Sequence, residues 1–167
     1  RALEMALGNP QGPVYLTLPR EVLAQKMDSI TIHPFRKNQA EALQPSTETL
    51  KRTAEVLRGA INPLIVTGRL GSDPTAVSAM VSFAEALAAP VVTPASPFVS
   101  FPNTHDFHLG VSSAPYIKDA DVIVVVECDV PWYPFQGKPP ENCKVIQIAR
   151  DPNYGAIPIR NFPKDIS

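Results

Sequence analysis

Asp121-Val122-Ile123-Val124-Val125-Val126-Glu127 decides the fold. Five consecutive β-branched residues between two carboxylates leave no polar face. A strand of that kind belongs where both faces are covered, in a parallel sheet flanked by helices. Downstream, Lys144-Val145-Ile146-Gln147-Ile148 repeats the signal after a loop over 128–142 that carries Pro131-Trp132-Tyr133-Pro134 and Pro139-Pro140. Upstream, Pro63-Leu64-Ile65-Val66-Thr67 and Pro90-Val91-Val92-Thr93 read as buried strands, and a last strand is expected to begin near Asp165.

Helical signals fall between these strands. Ser46 is placed to cap a helix with Leu50, Ala54 and Leu57 on one face, ending near Gly59. Asp73 caps the next, and Pro74 occupies its first turn, where a missing N–H costs nothing. Val77, Met80, Val81, Ala84, Leu87 and Ala88 then recur at i, i+3, i+4 and i+7. The stretch 94–110 is irregular and aromatic, with Phe98, Phe101 and Phe107, and a short helix is expected over 113–120. Strands alternating with helices, apolar on both faces, indicate a parallel, doubly wound α/β sheet.

The beginning of the chain reads differently. Ala2, Leu3, Ala6 and Leu7 recur at helical spacing until Gly8-Asn9-Pro10, and Pro13-Val14-Tyr15-Leu16-Thr17-Leu18-Pro19 predicts a short strand. One helix and one strand build no core, so 1–24 is expected to be the end of a preceding domain. Residues 25–45 are polar, aperiodic and too long for a connection inside a compact domain, which predicts an interdomain linker. The α/β domain then occupies 46–167, truncated near its last strand. With Arg1 in place of an initiator methionine, the chain reads as a piece of a longer polypeptide.

Composition narrows the function. Among 167 residues, 15 Lys+Arg against 16 Asp+Glu give a net charge of −1, without the basic patch that nucleic acid or an anionic membrane would need. No apolar run approaches the roughly 18 residues of a membrane span. Two cysteines are too few for a disulfide scaffold and lack metal-ligand spacing, so a reduced, cytoplasmic domain is expected. Proline, at 19 of 167, is about twice its average usage, but it sits at element edges and not in one tract.

Gly12-Pro13-Val14-Tyr15-Leu16-Thr17-Leu18-Pro19-Arg20-Glu21-Val22 resembles the segment that closes the pyrimidine-binding domain of thiamine diphosphate enzymes of the acetolactate synthase-like family. Further pieces resemble the central domain of that family. These are Asn62-Pro63-Leu64-Ile65-Val66-Thr67-Gly68, Ala86-Leu87-Ala88-Ala89-Pro90-Val91-Val92-Thr93, Phe101-Pro102 with His105 and Gly110, Ala120-Asp121-Val122-Ile123-Val124-Val125, and Val145-Ile146-Gln147-Ile148. They occur in family order and spacing, and the resemblance covers nearly the whole chain.

The resemblance implies a mostly parallel, six-stranded, Rossmann-like sheet and a parent with three α/β domains. The parent would form or cleave a carbon–carbon bond beside a carbonyl, acting on 2-oxoacids or related substrates as a lyase or transferase. Thiamine diphosphate would serve as electron sink and Mg²⁺ would clamp its diphosphate. Both are implied to lie outside this chain, which has no Gly-Asp-Gly and is expected to start downstream of the ylide-forming glutamate. Residues 1–167 are therefore expected to be inactive alone, with no catalytic residue among them. The partners implied are the other domains of the parent and further copies, as a homodimer or homotetramer.

Some family members hold FAD or ADP in the central domain. A Gly-rich turn between a strand and a helix N-terminus offers amides to phosphate. Here Gly68, Arg69, Gly71 and Ser72 form the candidate turn, with Glu127, Arg150 and Asp151 at the neighbouring strand ends. The chain departs from the nucleotide-binding pattern twice. Glu127-Cys128-Asp129-Val130 replaces a Gly-Ser-type turn, and Ala149 replaces the acidic residue that usually follows the strand over 144–148. Arg69 and Arg150 form either an anion site at that edge or ion pairs with Asp73, Glu127 or Asp151.

His105 and His108 flank Asp106 in a loop without a third ligand, so no metal site is assigned, and His33 is a solvated linker residue. Cys128 and Cys143 read as small buried hydrophobes. Trp132 and Tyr133 either pack on a neighbouring domain or cover a ligand at the strand ends. Two rival functions remain: a free-standing FAD-, ADP- or NAD-binding module, and a non-catalytic interaction domain.

Overall fold

The computed structural model describes residues 2–8, 11–31, 44–155, 157 and 159–167. It divides into two units, Arg1–Gln44 and Pro45–Ser167. In the first unit, α1 (Ala2–Leu7) follows the helical spacing, and a single turn, α2 (Arg20–Leu23), follows Pro19. The strand expected over 14–18 does not form; Tyr15 is 92% exposed, and Leu16 and Leu18 are exposed as well. Strand geometry needs a partner to satisfy its amides, and this segment pairs with no strand among the described residues. Of the expected linker, 25–31 and 44–45 carry neither helix nor strand; the rest, His33 included, lies outside the described residues.

The second unit is a parallel sheet. β1 (Pro63–Thr67), β2 (Val91–Val92), β3 (Val122–Val126) and β4 (Lys144–Ile148) lie in the order β2-β1-β3-β4. β3 takes a central place because it has no face to offer to water. All five of its residues are buried, paired with Pro63–Thr67 on one side and Lys144–Ile148 on the other. Among the described residues the sheet has four strands, β2 only two residues long, where the resemblance implies six. The two outer positions hold single parallel bridges, His108 on Val91 and Ile166 on Ile146.

Alternation along the strands divides the core between the two faces. Ile65, Val122, Val124, Val126 and Ile146 face α3 (Thr47–Arg58) and α4 (Pro74–Leu87), where they meet Val56, Leu57, Met80, Ala84 and the fully buried Phe101. Leu64, Val66, Ile123, Val125 and Val145 face α5 (Ala114–Ile117), together with Ile117, Cys128, Trp132 and Cys143. Both anticipated caps form: Ser46 Oγ accepts from the Thr49 amide at 3.1 Å, and the Asp73 carboxylate accepts from the Thr75 amide at 3.0 Å. Leu50 departs from expectation. It is 54% exposed, because only the later part of α3, at Val56 and Leu57, rests on the core.

Asp121 ties the approach to β1 to the start of β3. Its carboxylate accepts from the amides of Ile61 (2.6 Å) and Asn62 (3.0 Å). Desolvation raises the carboxyl, but these amide bonds outweigh it and hold it below its ordinary 3.8. A lowered folded pKa contributes stability that is present above about pH 4 and lost as pH falls through the folded value. Asp121→Asn is therefore expected to lower stability at neutral pH by about 1–2 kcal/mol. Urea unfolding from pH 7 downward should show the gap to the unsubstituted protein closing below about pH 4. A gap that stayed constant with pH would remove this role.

Candidate functional site

In a parallel α/β sheet the carboxyl ends of the strands form the edge where ligands are taken up. Here the loops after β1, β3 and β4 meet at that edge. Gly68-Arg69 leads from β1 into a 3-10 turn over Leu70–Ser72, which passes through Asp73 into α4. The turn is closed by its own amides, Ser72 N–H donating to Arg69 O and Asp73 N–H to Leu70 O, both at 3.0 Å. It is also held by the loop after β2. Ser96 and Ser100 donate to the Gly68 carbonyl, Ser100 at 2.9 Å, and Gly71 N–H donates to Ser100 Oγ at 3.2 Å.

Gly71 is small for a packing reason. A Cβ built there would meet Val99 O at 2.3 Å and Val99 C at 2.7 Å. The glycine admits the backbone of the loop after β2, so that space is already filled. Below the turn, Thr67 is fully buried, and its hydroxyl has no partner among the described residues.

Glu127 occupies the centre of the edge with φ 45°, in the left-handed region that disfavours any residue with a Cβ. Its carbonyl accepts from Arg69 N–H at 2.7 Å and its own N–H donates to Ile148 O at 2.9 Å. The carboxylate accepts from Arg150 N–H at 2.5 Å and from the Arg150 guanidinium at 3.4 Å. Arg150 also donates to Ser72 Oγ at 3.0 Å. Arg69 instead pairs with Asp129 at 3.4 Å. Asp151 accepts from the amides of Asn153 (3.2 Å) and Gly155 (2.7 Å), closing the loop after β4. Of the expected site residues, the structure thus joins Arg69, Ser72, Glu127 and Arg150 into one network. Gly71 is turned to packing and Asp151 to its own loop. Arg69 and Arg150 do not share an anion; each is matched to a carboxylate.

A second polar cluster carried only a weak sequence signal, the glutamine set among Val145, Ile146 and Ile148 of β4. Buried Gln147 donates to Tyr154 Oη (3.2 Å), and Tyr154 donates to Cys128 O (3.0 Å). Arg160 donates to Gln147 Oε1 at 3.1 Å and stacks over the Tyr154 ring at 4.0 Å. Burial pushes Tyr154 up to about 12, and Cys128 likewise up to about 12. Cys143, also buried, is pushed up to about 11, so neither cysteine offers a thiolate near neutral pH. Trp132 is 3% exposed and packs edge-on against Phe162, whereas Tyr133 is partly exposed and stacks on Phe135.

The two loop histidines have separate partners. His105 contacts Glu85 at 3.4 Å between the rings of Phe101 and Phe107, and His108 bonds Thr93 Oγ1 at 3.0 Å. Among the described residues no three His, Cys, Asp or Glu side chains gather as a metal ion would require, and no helix is long and apolar enough to cross a membrane.

The family model described as "Thiamine pyrophosphate enzyme, central domain" matches residues 50–157. The chain is similar to oxalyl-CoA decarboxylase of Escherichia coli (strain K12), at 26% identity over 141 residues that cover 83% of this chain and 25% of that protein. It is similar to benzoylformate decarboxylase of Pseudomonas aeruginosa, at 28% identity over 167 residues, covering 93% of this chain and 31% of that one. Its structure matches benzoylformate decarboxylase from Polynucleobacter necessarius with a TM-score of 0.71 and 25% identity, covering 99% and 32% of the two chains. The chain therefore spans about a quarter to a third of the length of these relatives. A match across most of the α/β unit, with a parallel sheet carrying the expected strands, identifies this chain as a member of the thiamine pyrophosphate enzyme central-domain family.

Proposed function

We propose that this chain works as the central scaffold domain of a thiamine diphosphate-dependent lyase or decarboxylase that acts on 2-oxoacids or related carbonyl substrates. The observation that carries the reading is the family match over 50–157, supported by relatives that are decarboxylases of oxalyl-CoA and benzoylformate. When bound, thiamine diphosphate supplies the electron sink for cleaving the bond beside the carbonyl. In this reading thiamine diphosphate and Mg²⁺ belong to domains that flank this one, and residues 1–24 to the end of the first of them. In this reading the domain is a spacer that supports a dimer or tetramer, in a cytoplasmic setting that suits two unpaired buried cysteines.

The test is an assay of the complete polypeptide with thiamine diphosphate, Mg²⁺ and a panel of pyruvate, benzoylformate and oxalyl-CoA, with CO₂ and aldehyde release measured. Turnover that requires thiamine diphosphate is expected, and residues 1–167 alone should be inactive. Failure of the complete polypeptide both to turn over any of the panel and to bind thiamine diphosphate would overturn the reading.

A further inference from the structure

We infer that the carboxyl edge of this sheet is closed by its own residues, with the Glu127 carboxylate holding the position that an anionic nucleotide would need. A helix N-terminus takes phosphate only if its amides are free and space exists beside them. Neither condition is met. Arg69, Gly71, Ser72 and Asp73 amides donate to Glu127 O, Ser100 Oγ, Arg69 O and Leu70 O, and the Thr75 amide donates to the Asp73 carboxylate. The space beside Gly71 is filled by Val99.

Arg69 and Arg150 are committed too, Arg69 to Asp129 at 3.4 Å. Arg150 spans from Ser72, at the end of the 3-10 turn before α4, to Glu127 after β3, whose side chain is only 18% exposed. An incoming phosphate would have to displace Glu127 from both the amide and the guanidinium of Arg150. Thr67, whose buried hydroxyl has no partner among the described residues, is fully enclosed and offers a ligand nothing unless the turn opens. The left-handed backbone at Glu127 fits this role, since such strain persists only where several contacts hold it. Glu127 touches the loops after β1 and β4 at once and is the positioning residue that keeps the three loops together.

The experiment reads binding and stability, not turnover, so it stands apart from the reading above. In thermal-shift titrations at millimolar concentration, ADP and FAD should leave the melting temperature of the unsubstituted protein unchanged. Glu127→Gln and Arg150→Ala should each lower it by several degrees, and the double variant by little more than the larger single effect, because both break one linkage. Hydrogen exchange should quicken at the Arg69 and Arg150 amides in Glu127→Gln while β3 stays protected. A rise of about 3 °C or more with either nucleotide would overturn the inference. So would additive losses in the double variant. If Arg150→Ala fails to fold, the nucleotide titration and the exchange pattern of Glu127→Gln still decide.

Discussion

Trp132→Ala is expected to cost about 3–5 kcal/mol of stability, the range for removing a large aromatic from a packed core. Trp132 is 3% exposed, in one cluster with Ile117, Cys128 and Val145, with Phe162 set edge-on at 5.1 Å and 85°. The sequence allowed two roles for it, covering a ligand at the strand ends or packing on a neighbouring domain, and the structure instead places it in the core of its own unit. A ligand-covering ring could be removed with little effect on the fold, because its face would be open until the ligand arrived. A ring enclosed on both sides leaves a cavity. Trp132 is the only tryptophan, so unfolding should be followed by far-ultraviolet circular dichroism and not by fluorescence. Trp132→Phe should recover part of the loss by keeping the contact with Phe162. A loss below about 1 kcal/mol for Trp132→Ala would return the residue to the ligand-covering role.

Gly71→Ala is expected to cost about 3 kcal/mol, at the upper end for inserting a single methyl into a filled site. The obstacle is backbone: Val99 O at 2.3 Å and Val99 C at 2.7 Å from the new carbon, with Phe98 Cβ at 3.0 Å. A side chain can rotate away from such a clash, but here the turn and the loop after β2 must separate. Separation breaks the Gly71 N–H bond to Ser100 Oγ. Gly59→Ala is the control, because its nearest atoms stand at 3.7 and 3.8 Å and its φ of −86° suits alanine; it should change stability little. Denaturant unfolding of the two variants separates the cases. Equal small effects would mean that the loop yields easily and that Gly71 is not there for close approach.

The parts that were legible in advance are those decided by neighbours in the chain. Ser46 and Asp73 cap helices because a side-chain oxygen two or three residues from an amide needs no tertiary help. The strands at 63–67, 122–126 and 144–148 were legible from their apolar runs, and the seam between the two cores follows from alternation along them. The strand expected over 14–18 failed because a strand depends on a partner that its own residues do not specify. Leu50 failed for a related reason: helical spacing places it on the apolar stripe but does not say how far along the helix the sheet reaches.

The candidate edge shows the same division. The sequence named Gly68, Arg69, Gly71, Ser72, Glu127, Arg150 and Asp151, and the fold does bring the ends of β1, β3 and β4 to one place. It could not say whether the amides there were free. Ser96, Ser100 and the Val99 backbone, which fill and fasten the turn, lie some thirty residues from it in the chain.

By itself the sequence determined the parallel α/β class, the two helix starts and the burial of the strand at 122–126 on both faces, from patterns that repeat or cap within a few residues, while the family entered through resemblance. Only the tertiary structure decided that Gly71 serves close packing, that Arg150 is matched to Glu127 and Arg69 to Asp129, and that Trp132 is core. Hydrogen bonds and van der Waals contacts are settled by distance in space, and residues far apart in the chain become neighbours only once the sheet has set its strand order.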